Sequence, residues 1–110
     1  MALAFENARL TISNETGLHE DTVTRGFKRN IKEEANRPVV DVAIRSFKLD
    51  LAGGAAVHPT DLVQVTASIE DVGEETVTVK IRTNYSGGPY SGEVVVLIIA
   101  DLIDVREPQD

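Results

Sequence analysis

In the stretch DLVQVTASIED, Asp61 to Asp71, every second residue from Val63 to Ile69 is apolar and those between are polar. The alternation returns in ETVTVKIR, where Val77, Val79 and Ile81 are set against Thr76, Thr78, Lys80 and Arg82. A period of two sends successive side chains to opposite faces of an extended chain. Both stretches are therefore expected as strands with one face in a core and one in water. The turn-forming residues of DVGEE, Asp71 to Glu75, join them into an antiparallel hairpin.

The segment from Glu93 to Val105 opens instead on a continuous apolar run, VVVLII (Val94 to Ile99). Covered on both faces, it is expected as a central strand or an interface strand. PVVDVAIRSFKLDLAGG admits two readings. As a helix it has a cap at Asn36, an early Pro38 and a terminal Gly53. At helical spacing, however, its polar positions split into two clusters, Asp41, Arg45 and Lys48 against Ser46 and Asp50. As a strand it alternates through Val40, Val42 and Ile44, then Phe47, Leu49 and Leu51, with one slip of phase at Arg45–Ser46 such as a β-bulge produces. The strand is the better fit.

ARLTIS, with Leu10 and Ile12 inward, reads as a short strand. TVTRGFKRNI reads as another, with Val23, Phe27 and Ile31 on one side and Gly26 marking a close approach. About six strands separated by turn signals in 110 residues indicate an all-β fold, a six-stranded antiparallel β-sandwich or a barrel of similar size. A single domain spanning 1–110 follows from the length. Within it, residues 1–20 form an edge strand or an arm reaching to a neighbour, and residues 106–110 a frayed tail.

Composition narrows the function classes. No cysteine is present, which removes disulfides, thiolate nucleophiles and sulfur-bound metals. The net charge of -7, from 11 basic and 18 acidic residues, argues against a nucleic-acid partner, because phosphate binding needs clustered cations. Arg25, Lys28, Arg29 and Lys32 do bunch, but Glu33 and Glu34 follow at once, as on a solvated face. No run approaches the ~20 apolar residues of a membrane helix, so no membrane insertion is expected. No basic segment with an apolar core stands at the start to act as a signal peptide.

Catalytic and metal-binding chemistry finds little to work with. His19 and His58 both lie in loop-like sequence, without HxH or HExxH spacing. His19, Glu20 and Asp21 are better read as an acidic turn than as a cation site. The carboxylate pairs Glu33–Glu34, Asp71 with Glu74 and Glu75, and Asp101 with Asp104 fall at turns and strand ends, where charge keeps edges soluble. The glycines at Gly53 and Gly87 lack the Lys-Ser/Thr of a phosphate loop. No enzyme, metal or cofactor is expected.

What stands out is RTNYSGGPYSGE, Arg82 to Glu93, which holds both tyrosines of the chain and three of its eight glycines. A sugar site needs an aromatic face for the ring and planar polar groups for its hydroxyls. Tyr supplies an apolar body with a polar tip, and Asn offers donors and an acceptor together. Asn84, Tyr85, Ser86 and Tyr90 contain that inventory. The plainer alternative is a glycine-rich loop whose tyrosines cover the end of the sandwich.

The order of these features resembles the H-type lectin domain. A strand with an aromatic residue leads to RPVVDVAI, a short LDL strand, DLVQVTASIED, VTVKIRT, a YS pair and a final apolar strand, over roughly residues 24–100. The resemblance implies a six-stranded antiparallel sandwich that forms a homo-oligomer, a trimer or stacked trimers making a hexamer, with GalNAc-type sugars bound between protomers. Its site residues fall on Asn84 and Tyr85, with the Tyr-Ser pair on Tyr90 and Ser91. The family's arginine in the preceding strand is replaced by Val63 or, with a slip of one place, by Gln64. The chain departs further in lacking the family's tryptophans, Leu97 standing where the closing strand carries one, and in the added Gly87–Gly88–Pro89.

Two functions are thus expected. One is a non-catalytic glycan-binding module contacting sugar through Asn84 and Tyr85, with Tyr90 shaping the loop and Gln64 reaching the site from a facing protomer. The other is a structural assembly protein, such as a virion or phage-particle component, that packs through its apolar Val94–Ile99 strand. The lectin reading implies a secreted or surface-associated setting. NET at Asn14 and NYS at Asn84 match the N-glycosylation pattern, and a glycan on Asn84 would block the expected site.

Overall fold

A computed structural model describes residues 2–51 and 63–103. His58, Gly53, Asp104 and the 106–110 tail lie outside the described residues. The chain is all-β, with eight strands: β1 (Leu3–Glu15), β2 (His19–Gly26), β3 (Glu33–Glu34), β4 (Arg37–Pro38), β5 (Val40–Leu51), β6 (Val63–Val72), β7 (Thr76–Tyr85) and β8 (Tyr90–Asp101). They form antiparallel sheets in the orders β1-β8-β5, β2-β7-β6 and β3-β4. Six strands are long, among them β1, which at 13 residues is far longer than the short strand expected from ARLTIS. The other two have two residues each, too short to carry a periodic signal.

The two three-stranded sheets face each other in a sandwich-like arrangement. β7 contributes Val77, Val79 and Ile81, all fully buried, and β8 contributes Val94, Val96, Ile98 and Ala100. Burying each of the larger aliphatic side chains is worth about 1.5–3 kcal/mol. β8 is the central strand of its sheet, as its unbroken apolar run predicts. On its outer face Val95 is only 8% exposed. Arg9 of β1 stands opposite it, and Arg45 of β5 reaches across this face, its guanidinium 3.2 Å from Asn7 Oδ1 on β1. To span the sheet its stem must cross β8, where it shields apolar surface while the charge stays in water.

The predicted slip of phase in β5 is a bulge: Ile44 pairs with Val96 and Ser46 with Val95, leaving Arg45 unpaired. This excludes the helical reading. Asn36, its supposed cap, sits instead with Ala35 in the two-residue turn between β3 and β4, with φ of 64° and 52°. The strand predicted from TVTRGFKRNI ends at Gly26. Beyond it the chain turns across the sandwich end. Phe27 and Ile31 donate their amides to Glu75 and Glu74 carbonyls, both at 2.7 Å, and bury their side chains there. Open space, rather than a close approach, lies beside Gly26.

The two flanks of the sandwich differ. On the β1 side, Ala8, Leu10 and Ile12 are at most 4% exposed. On the other, Phe47 of β5 is 59% exposed and Val63 of β6 is 42% exposed, with Ile44 and Ile69 also uncovered. Register places all four on the core-facing pleat of their strands, opposite buried residues of β8 and β7. β5 and β6 are both edge strands. Among the described residues the core is closed on one flank and open on the other.

Candidate functional site

The last residues of β7 divide between the two faces of their sheet. Val77, Val79, Ile81, Thr83 and Tyr85 point inward, so Thr78, Lys80, Arg82 and Asn84 point outward. Tyr85 is 5% exposed and Tyr90, the first residue of β8, only 2%. Their rings meet edge to face, with centroids 6.3 Å apart and planes at 89°. That geometry is the favoured one for two ring quadrupoles. The Ser86–Pro89 connection crosses from one sheet to the other above them.

The Tyr90 hydroxyl lies 2.8 Å from the Gly17 carbonyl, 3.1 Å from the Thr83 carbonyl and 3.0 Å from Thr83 Oγ1. With one proton it donates to one carbonyl at a time. Its lone pairs remain open to the Thr83 hydroxyl, which also lies 3.4 Å from the His19 carbonyl. No buried side-chain polar atom among the described residues lacks a partner. A phenol is costly to bury unless so satisfied. The tyrosines therefore close this end of the sandwich and hold the β1–β2 turn against β7.

Outside the sheet the picture is polar. Asn84 on β7 stands directly opposite Gln64 on β6. One step further along β7, Arg82 lies between Thr66 of β6 and Glu20 of β2. Arg82 Nε and Nη2 are both 2.9 Å from Glu20 Oε2, an ion pair open to water. Such a pair adds little stability on its own; it draws the guanidinium toward β2, on the side of β7 away from Gln64. Lys80 reaches Glu70 at 3.5 Å on the same face.

The predicted site residues thus form two groups. Gln64 and Asn84 come together on the outer face, while Tyr85 and Tyr90 come together inside. The sheet lies between the groups. Arg82 and Glu20 were missed by the sequence reading, although Arg82 shares the parity of Asn84. Among the described residues, no three of His, Asp and Glu gather to hold a metal ion, and His19 Nδ1 lies 3.8 Å from Glu15 Oε2. No helix among the described residues is long and apolar enough to cross a membrane.

The chain matches no protein-family model, no curated protein and no solved structure.

Proposed function

We propose that this chain is a non-catalytic glycan-binding module of the H-type lectin kind, working as a multivalent homo-oligomer. An all-β, antiparallel and sandwich-like fold is compatible with that reading. The observation that carries it is the cross-strand pair Gln64–Asn84, with Arg82 on the same face of β7. Two planar amides offer donors and acceptors side by side, matching sugar hydroxyls and, in a GalNAc-type sugar, an acetamido group. A guanidinium adds donors at the rim. Tyr85 and Tyr90 support this surface from beneath and do not themselves touch the ligand.

A site on one flat face is shallow and binds weakly alone. Repetition in a trimer or hexamer raises avidity through effective concentration. The open β5–β6 flank supports self-association, because apolar groups of its size gain by leaving water. The same flank favours a second reading, a structural assembly protein with no sugar ligand. A glycan array separates them. Selective binding that Asn84→Ala and Gln64→Ala both abolish, with thermal unfolding unchanged, supports the lectin. A blank array from a folded oligomer supports the assembly protein.

A further inference from the structure

At the end of the sandwich away from Gln64 and Asn84, the first residues of β1 and the chain just after β2 enclose a cleft of about 440 Å³. Volumes of this order hold small organic ligands. Its apolar lining includes Phe27 and Leu102, both buried, and Phe5, which is 55% exposed. Gly26 also lines it, and a Cβ there would meet nothing within 4 Å. The backbone is therefore bare toward the cleft, as suits close approach of a ligand.

Lys28 and Arg29 complete the lining. Among the described residues neither makes an ion pair or a side-chain hydrogen bond, whereas Arg9, Lys80 and Arg82 are each paired with a glutamate. Neighbouring Arg25 bonds only to backbone carbonyls, Asn7 O at 2.8 Å and Thr24 O at 3.3 Å, so its charge is also uncompensated. Lys28 and Arg29 are thus free to meet an anionic ligand, in a chain whose net charge is -7. One carboxylate, Glu6, lies on the opposite lip.

We infer that this cleft is a second binding site, for a small organic anion with an apolar or aromatic body. The apolar body lies in the cleft lined by Ala4, Phe5, Phe27 and Leu102, and the anionic group reaches Lys28 and Arg29. Charge-assisted hydrogen bonds from a lysine and an arginine hold a carboxylate or sulfonate about equally well. Glu6 disfavours a ligand with a second negative group on the far side. The site is independent of the glycan reading, which concerns the other end of the molecule.

The probe is 1-naphthoate, titrated into isotopically labelled protein and followed by backbone amide shifts, with 1-naphthamide as its neutral counterpart. The cleft predicts saturable shifts confined to Phe5, Glu6, Gly26 to Arg29 and Leu102. It also predicts about tenfold weaker binding of the amide. The double variant Lys28→Gln, Arg29→Gln, whose side chains pack against nothing essential, keeps its unfolding temperature and loses the preference for the anion. Equal binding of naphthoate and naphthamide, shifts spread over the other exposed apolar groups, or unsaturated shifts at millimolar ligand would each overturn it.

Discussion

The Tyr90 hydroxyl and the Gly17 carbonyl, 73 residues apart in sequence, meet at 2.8 Å. The contact ties the turn between β1 and β2 to the first residue of β8. Removing the hydroxyl while keeping the ring isolates its contribution. Tyr90→Phe leaves the edge-to-face contact with Tyr85 intact but strips a buried network of its shared member. A loss of about 1–2 kcal/mol is expected in urea unfolding. An unchanged midpoint would mean that the hydroxyl is solvated and the turn is held by other contacts.

Gly92 is required for a steric reason. A Cβ on it would stand 1.9 Å from the Lys48 carbonyl oxygen on β5. The obstacle is backbone, which cannot step aside as a flexible side chain can. Gly92→Ala should cost at least about 2–3 kcal/mol, read from thermal and urea unfolding, and disturb β5–β8 pairing. Wild-type stability in that variant would contradict the register of the two strands.

A gain is expected at Ala35. It holds φ of 52° in the two-residue turn after β3, a conformation that costs a residue with a Cβ about 1–2 kcal/mol. Ala35→Gly should recover most of the penalty, less the entropy that glycine loses on folding, a net gain of about 0.5–1 kcal/mol. Its unfolding midpoint should rise.

The open flank makes a prediction about association. Phe47 is 59% exposed on the core-facing pleat of an edge strand. Phe47→Asp puts a charge there without disturbing the closed flank. Sedimentation velocity should show the proposed oligomer in the native protein and a monomer in the variant, with far-ultraviolet circular dichroism unchanged. An oligomer of unaltered size would move the interface elsewhere, the outer face around Leu3 and Phe5 being the next apolar surface.

Much of this architecture was legible in the residues. The alternation at Val63–Ile69 and Val77–Ile81 marked β6 and β7, and the broken phase at Arg45–Ser46 marked the bulge. The full length of β1 was not, because Leu3 and Phe5 fall on its outer pleat and blur the contrast between faces. Phe27 and Ile31 are buried by a chain that plugs the sandwich end, which no strand period announces. The placement of the site was more accessible than it looked. Carrying the parity of Val77, Val79 and Ile81 two steps on sends Thr83 and Tyr85 inward and Asn84 outward. A composition argument, which groups neighbours in sequence, joins residues that a strand sends to opposite faces. The Phe5–Lys28 cleft needed the fold, since its two sides are separated by the whole of β2.

Sugar recognition at Gln64 and Asn84 can be read by titrating N-acetylgalactosamine into labelled protein and following the backbone and side-chain amides. The account predicts saturable shifts at Gln64, Asn84 and Arg82, absent in a folded Asn84→Ala variant, with the Gly26–Arg29 segment undisturbed. A folded oligomer whose Gln64 and Asn84 resonances never move, or an Asn84→Ala variant that binds as the native protein does, would contradict it.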